Sequence, residues 1–329
     1  MDLVRALAAF LVFAALLTAQ SLPVIIDTDA GSDDFMAVAL LLARPNVTID
    51  AITVVNGTAH VEAGVRNMGR LLDFAGRKQV RVFAGRNGPL KGTAEFPAEW
   101  RKISDDLPGV KLPPVSRMPE TKSAVDYLVA RLKNAPAPLE ILALGPLTNI
   151  AEAIERDHSV VANIREIVLM GGAVRVPGNL QDGGVFHTKN NTAEWNIFID
   201  PTAASIVFRS GVPIRLIGLD ATNKVPIGPD FLHQFDQRAL TPLGRLVAGV
   251  LDADREAIAA GIFYAWDPLA AAALLRPGVV KIEPMHIEIK LDPPEDGRTL
   301  ASPGQPNVNV AVDADAAAFG ALFLESFRR

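Results

Sequence analysis

The chain of 329 residues contains no cysteine. This absence excludes disulfide bonds, thiol catalysis, lipid attachment to cysteine and zinc sites built from cysteine. Lysine and arginine form no run and the net charge is −5, so the sequence has no basic patch of the kind that binds nucleic acid or an anionic membrane. We therefore expect no nucleic-acid partner.

The most prominent apolar run, Ala6–Leu17, is too short to span a bilayer comfortably. It follows a short positive start, Met1–Arg5, and precedes Ala19-Gln20-Ser21, whose small residues suit a cleavage site. This pattern predicts a secretory signal peptide at residues 1–21, rather than a retained anchor or an apolar N-terminal helix. We expect an exported protein, periplasmic or secreted, with no stable membrane insertion after cleavage and a single domain at residues 22–329.

Apolar segments typical of buried strands alternate with segments of helical spacing along most of the chain. This alternation implies βαβ units and predicts an α/β fold: an open, mostly parallel mixed sheet, Rossmann-like, with helices on both faces. The predicted strands are Val24–Ile26, Val47–Val55, Val80–Ala84, Leu139–Ala143, Ile164–Met170 and Pro213–Gly218. Predicted helices include Phe35–Ala43, His60–Phe74, Ser123–Asn134, Pro201–Ser210 and Pro242–Ala260.

Two irregular segments, Gly85–Met118 and Val174–Thr192, interrupt this alternation. Long loops inside a compact domain are often functional. Trp100 in the first segment could cover a ligand or could anchor the loop by packing. The apolar runs near the C-terminus, Val279–Ile289 and Val308–Val312, are interpreted as sheet edge and packing.

Four aspartates follow the first predicted strand within eight positions: Asp27, Asp29, Asp33 and Asp34. In an open parallel sheet, ligands bind beyond the carboxyl ends of the strands, where these side chains would lie. Carboxylates crowded in this way repel one another unless a hard cation lies among them, and oxygen ligands suit Ca²⁺ or Mg²⁺. Alternatively, Asp33 and Asp34 could complement the dipole of a helix that begins near Asp34 and is capped by Ser32 or Asp33.

The segment Val24–Asp34 resembles the N-terminal signature of the inosine-uridine-preferring nucleoside hydrolases, with Ala30 where that family normally has proline. Haloacid-dehalogenase phosphatases also place two such aspartates after a first strand, but further segments are similar to successive nucleoside hydrolase motifs in family order. They are 143–149, 170–173, 193–201, 218–222 and 266–268. The resemblance covers essentially the whole chain after the N-terminal segment and indicates a divergent, exported member.

The resemblance implies Ca²⁺-dependent hydrolysis of the N-glycosidic bond of ribonucleosides to ribose and free base. It assigns the metal to Asp29, Asp34, Asp267 and the carbonyl of Leu144, with Asp29 also as the general base that activates water. Asp27 would support the loop from behind. The implied contacts with ribose and base come from Asp33, Asn56, Met170, Asn179, Glu194, Asn196 and Trp266. The expected partner is a small nucleoside, and the chain could form a homodimer or homotetramer.

The sequence departs from the family pattern at three places. The order Asn56-Gly57-Thr58 lets either flanking residue take a role that the family gives to asparagine. A long insertion before Glu194 makes Asn190 and Asn191 rivals of Asn179.

The third departure concerns the leaving group, because Trp266 occupies the position of the histidine associated with protonating the departing purine. An indole cannot act as an acid at neutral pH, but its face can stack on a nucleobase, together with Trp195 or Trp100. The proton would then come from water, from a loop residue such as His60, His187 or Glu99, or not at all. Alternatively, Trp266 only packs against the helix that begins at Pro268.

Two other functions remain open at this point. A nucleoside- or sugar-binding protein could have kept the metal and ribose contacts but lost efficient hydrolysis. A Mg²⁺-dependent phosphatase would need Asp27 as its nucleophile.

Overall fold

The computed structural model describes residues 22–118 and 120–328. The expected signal peptide lies outside these residues and stays a prediction. Within the two described ranges, no helix combines the length and apolarity needed to cross a bilayer.

An eight-stranded sheet forms the centre of the fold, in the order β3-β2-β1-β4-β5-β6-β10-β7. All neighbouring pairs are parallel except β10 and β7, so the predicted mostly parallel mixed sheet is confirmed. The strands are β1 Leu22–Thr28, β2 Val47–Val54, β3 Arg81–Ala84, β4 Leu139–Ala143, β5 Ile164–Met170, β6 Ile214–Ile217, β7 Val280–Met285 and β10 Val308–Ala314. A separate antiparallel pair comprises β8, Ile287–Ile289, and β9, Thr299–Ala301.

Helices pack on both faces of the sheet. They are α1 Ser32–Leu42, α2 Val61–Phe74, α3 Ala98–Asp106, α4 Ala124–Lys133, α5 Thr148–Arg156, α6 Trp195–Ile199, α7 Pro201–Arg209, α8 Leu219–Thr222, α9 Pro229–Arg238, α10 Pro242–Ala253, α11 Arg255–Ala259, α12 Trp266–Leu275 and α13 Ala316–Ser326.

Strand β1 is buried on both sides: Val24 and Ile26 join one apolar core and Ile25 joins the other. This two-residue alternation explains why the strand reads as a continuous apolar run.

Four local features differ from the sequence-based expectations. Helix α1 begins at Ser32 with Gly31 as its N-cap residue, so neither Ser32 nor Asp33 caps it. The irregular segment 85–118 contains helix α3. The expected helix 242–260 is interrupted at Asp254. Strand β10 lies inside the sheet, between β6 and β7, and β7 forms the edge on that side.

The strand order places β1 beside β4 at the point where the connections reverse direction along the sheet. Such a switch point opens a crevice at the carboxyl ends of the strands, because the following loops turn away from each other. The loops after Thr28 and Ala143 border this crevice. The fold therefore puts the aspartate-rich loop and the Leu144 carbonyl on the same side of the sheet.

Candidate functional site

A cavity of about 590 Å³ lies at this carboxyl edge of the sheet. Among the described residues, its lining includes most of the side chains singled out from the sequence. They are Asp29, Asp33, Asp34, Leu144, Met170, Asn179, Glu194, Asn196, Trp266 and Asp267. Residues from distant parts of the chain thus meet in one cleft.

The loop after β1 is shaped by hydrogen bonds to the side chains at its two ends. Ala30 has φ = 60°, a left-handed conformation that a proline ring cannot adopt. Its N–H donates to Thr28 Oγ1 at 3.0 Å, and the N–H of Gly31 donates to Asp34 Oδ2 at 2.9 Å. Thr28 Oγ1 also donates to Asp34. This compact turn directs the aspartates into the cleft.

Two backbone N–H groups of the loop after β2 hold Asp29, one at its side chain and one at its carbonyl. The N–H of Thr58 donates to Asp29 Oδ2 at 2.8 Å, and the N–H of Ala59 donates to the Asp29 carbonyl at 2.9 Å. Gly57 packs so closely that a Cβ there would lie 2.0 Å from Asp29 Oδ2. The residue is 2 % exposed, so its side chain is held almost entirely by protein contacts.

Carboxylates crowd the floor of the cleft. Asp33, Asp34 and Asp267 each place one oxygen within 4.8 Å of the others. Burial, followed by the charge of Asp29, raises the pKa of Asp34 well above its ordinary value, and burial followed by the charge of Asp34 does the same for Asp267. Burial also raises the pKa of Asp29, which contacts Asp34.

Among the described residues that line the cleft, none is lysine, arginine or histidine. The buried negative charges therefore have no cationic side chain beside them within the lining. Carboxylate oxygens of this kind suit a hard divalent cation, which would relieve their repulsion. Two of the four ligands expected from the sequence, Asp34 and Asp267, belong to this group, and Asp33 is its third member.

Glu194 fixes the next part of the cleft wall as the N-cap residue of α6. Its carboxylate accepts hydrogen bonds from the N–H groups of Gly172 at 2.9 Å, Asn196 at 3.0 Å and Ile197 at 3.3 Å. Burial raises the pKa of Glu194 to about 7. These bonds join the turn after β5 to the start of α6.

Asn196 connects that wall to the metal-binding region. Its side-chain amide donates to the carbonyl of Leu144 at 2.9 Å and to that of Met170 at 3.2 Å. A carbonyl oxygen has two lone pairs, so Leu144 keeps one for another partner. Asn179 lines the cleft as well, and its side-chain oxygen accepts from the N–H of Trp195 at 3.2 Å.

Asp27 lies behind the cleft lining and is fully buried. Its Oδ1 accepts from Thr53 Oγ1 at 2.6 Å and from Asn149 Nδ2 at 2.8 Å. These contacts join the ends of β1 and β2 to the first turn of α5. Asp27 therefore stands in a supporting position, as expected, and is badly placed for the nucleophile that a phosphatase would require.

All three tryptophans line the cleft. The ring of Trp195 stacks on Phe96 with centroids 4.9 Å apart and meets the edge of Trp100 at 5.4 Å. Trp266 packs against Phe263 with a centroid separation of 5.3 Å. Trp100 packs against Trp195, as one of its two alternatives expected, and it also borders the cavity.

Several residues considered from the sequence lie elsewhere. Asn56 is buried outside the cleft lining and accepts a hydrogen bond from Arg101 Nη2 at 2.8 Å. Asn190 is also buried, with its amide donating to the carbonyl of Asp296 at 2.7 Å. His60, whose ring is exposed, pairs with Asp105 at 2.6 Å.

The remaining alternatives, Asn191, His187 and Glu99, are exposed and absent from the described lining. The structure thus favours Asn179 over its two rivals. It also brings none of the three loop residues considered as proton donors into the cleft.

Sequence reasoning missed two contributors. Thr299 of β9 supports the turn after β5: its hydroxyl accepts from the N–H of Ala173 at 2.9 Å and donates to the Ala173 carbonyl at 2.8 Å. Asp254 lines the cleft at the break between α10 and α11. Aspartate is a preferred N-cap residue, which was the available signal for that break.

The family model described as inosine-uridine preferring nucleoside hydrolase matches residues 24–321. The chain is 34% identical over 274 residues to uridine nucleosidase 1 of Arabidopsis thaliana, covering 80% of this chain and 79% of that protein. It is 32% identical over 321 residues to a pyrimidine-specific ribonucleoside hydrolase of Salmonella agona, covering 93% and 98% respectively.

Solved structures show the same likeness. A plant nucleoside hydrolase superimposes with a TM-score of 0.82 at 30% identity, over 93% of this chain and 98% of that one. A purine-preferring ribonucleoside hydrolase from Gardnerella vaginalis gives a TM-score of 0.81 at 29% identity, with the same coverage.

Proposed function

This chain belongs to the inosine-uridine preferring nucleoside hydrolase family and is a hydrolase acting on N-glycosyl compounds, and from that premise we propose that it cleaves ribonucleosides to ribose and free base with Ca²⁺ and Asp29. The observation that carries the proposal is the group of buried carboxylates at the β1–β4 crevice, with Asp29 fixed beside it. Asp34, Asp267 and the Leu144 carbonyl would hold the cation together with Asp29. When bound, the cation would polarise a water molecule and lower its pKa.

Asp29 takes the proton from the attacking water. Its hydrogen bond from Thr58 orients one oxygen and leaves the other for that role. Asp29 is almost completely buried, and this burial raises the pKa of its carboxyl in the protein without a cation.

The sugar and the base occupy different parts of the cleft in this proposal. Asp33, Asn179, Glu194 and Asn196 contact the ribose hydroxyls, and Met170 packs beneath the ring. The base lies among the tryptophans, since an aromatic face stacks on any nucleobase. The relatives include a uridine nucleosidase, a pyrimidine-specific enzyme and a purine-preferring enzyme, so the base has to be determined by assay.

The test is incubation of the purified protein with inosine, uridine and cytidine, with release of reducing sugar as the readout. Asp29→Asn should lower kcat about 100-fold or more, because it removes the general base and weakens a metal ligand. Asp27→Asn should have a milder effect, since Asp27 lies behind the lining. Near-native turnover by Asp29→Asn together with inactivity of Asp27→Asn would require abandoning the proposal.

The same assay tests the metal. Chelation should abolish turnover and lower the melting temperature, and Ca²⁺ should restore both. A cation at about 100 times its Kd stabilises the folded protein by about 2.7 kcal/mol. Unchanged activity after complete removal of divalent cations would contradict the metal assignment. A protein that binds nucleosides but releases no sugar would be a binding protein instead.

A further inference from the structure

One wall of the cleft is formed by the end of α10, by α11 and by the segment leading to Trp266. Ala253, Asp254, Glu256 and Ala257 contribute to it in sequence order. The wall continues through Phe263, whose ring contacts Trp266. Because Trp266 is proposed to hold the base, this wall borders the leaving group.

Asp254 has an unusual position in this wall. It is the N-cap residue of α11, yet its side chain makes no capping hydrogen bond. The carboxyl turns instead toward Ser32 at the start of α1. Its Oδ2 atom is buried and has no hydrogen-bond partner within the described part of the chain.

The basic side chain adjacent to Asp254 in sequence is already paired. Arg255 Nε donates to Asp252 Oδ1 at 2.8 Å, and both of those side chains are exposed. A buried carboxyl with a free oxygen favours the protonated form, because the charged form loses its hydration. Burial accordingly raises the pKa of Asp254 to about 6. The group can therefore carry a proton near neutral pH.

The reaction needs a proton at this end of the cleft. The base leaves with the electron pair of the C1′–N bond and must be protonated to become neutral. Three lining carboxyls are not already assigned to the metal or the sugar: Asp182, Asp254 and Glu256. Asp182 and Glu256 are exposed, whereas Asp254 has one carboxyl oxygen shielded from solvent and without a partner in the described part of the chain.

Building on the proposed function, we propose that Asp254 is the general acid that protonates the departing base. As the C1′–N bond breaks, its electron pair passes to the base, and Asp254 delivers its proton to a ring nitrogen. Water adds its oxygen to C1′ and gives a proton to Asp29. After product release, Asp29 returns that proton to solvent and Asp254 regains one, so the overall reaction consumes only water.

The experiment compares two kinds of leaving group in the metal-loaded protein. Asp254→Asn keeps the shape of the side chain and an oxygen that can face Ser32, but it has no carboxyl proton to donate. On inosine and uridine its kcat should fall about 100-fold, the usual contribution of a general acid. On p-nitrophenyl riboside, whose leaving group departs without protonation, kcat should stay within about threefold.

Two further variants complete the test. Asp252→Asn makes the same chemical change two residues away, at a side chain that is 65% exposed, and should leave all substrates unaffected. Asp254→Glu keeps a carboxyl and should recover part of the nucleoside activity. Melting temperatures identify any variant that has lost its fold.

Equal losses by Asp254→Asn on nucleosides and on p-nitrophenyl riboside would overturn the assignment, as would undiminished turnover of nucleosides. If the unmodified protein cleaves neither class of substrate, the proposed function itself fails, and the assignment of Asp254 fails with it. Cleavage of both by the unmodified protein, with a selective loss in Asp254→Asn, is the result expected.

Discussion

Substitution of Gly57 by alanine tests whether the position of Asp29 controls the reaction. A Cβ at residue 57 would lie 2.0 Å from Asp29 Oδ2, 2.5 Å from its Cβ and 2.6 Å from its Cγ. Real contacts of this kind are essentially never shorter than 3.0 Å, so the carboxylate oxygen has to move by about 1 Å or more. Asp29 has little room to do so, because it is buried beneath the cleft.

The expected loss follows from two effects of this displacement. Misplacing a catalytic group by about 1 Å can cost about 100-fold in rate. The hydrogen bond from the Thr58 N–H to Asp29 would also be strained, and a bond to a charged group contributes about 1.5–3 kcal/mol. We therefore expect kcat/KM for nucleosides to fall about 100-fold in Gly57→Ala, with a lowered melting temperature.

A graded set of alanine variants separates this effect from general destabilisation. At Gly145, the added Cβ would meet Asp29 Cβ at 2.8 Å, a weaker clash that should give an intermediate loss. At Gly88, a Cβ would meet nothing within 4 Å, so kinetics should be unchanged. Steady-state assays and thermal melts of the three variants provide the comparison. Near-native kcat/KM in Gly57→Ala would refute the role given to the position of Asp29.

Two further predictions concern Glu194 and Trp266. Because burial raises the pKa of Glu194 from 4.5 to about 7, its contribution to stability is complete below pH 4.5 and is lost as the pH rises through 7. Urea unfolding should show that Glu194→Gln removes about 3 kcal/mol of this pH dependence, and parallel pH profiles would contradict it. Trp266→Ala should lower kcat/KM about threefold to tenfold, by an amount that differs between inosine and uridine, since stacking contributes about 0.5–1.5 kcal/mol. Equal losses on every substrate with a lowered melting temperature would make Trp266 a packing residue.

The sheet could be predicted from the sequence because its central strands carry a strong local signal. Strand β1 is buried on both faces and so appears as an uninterrupted apolar run. The break between α10 and α11 was harder to find, because the flanking residues keep helical spacing across Asp254. In the cleft, that aspartate contacts Ser32, which is far away in sequence.

The difference between local sequence signals and long-range contacts also explains which parts of the site could be predicted. Asp29 directly follows β1, and Asp34 lies in the first turn of α1 after a three-residue loop, so the positions of both are set by where that strand ends. Asn56 also follows a strand, but the guanidinium of Arg101 holds its side chain outside the cleft. That contact depends on how helix α3 packs against the loop after β2. Long-range packing of this kind leaves no periodic signal in the sequence.

The candidate metal ligands and the residues of the wall around the tryptophans lie on different kinds of structure. Asp29 and the Leu144 carbonyl directly follow β1 and β4, two adjacent central strands whose backbones are fixed by parallel pairing, while Asp34 and Asp267 lie in the first turns of α1 and α12. The cleft wall around the tryptophans comes from helix α3, from the insertion before Glu194 and from the α10–α11 break, none of which belongs to the sheet. Changes in that wall would alter the shape of the proposed base-binding region without disturbing the strand ends beside the proposed metal ligands. Substitutions of apolar side chains in the wall should therefore change which base is accepted, whereas substitutions of Asp254 or at the strand ends should impair hydrolysis of every nucleoside.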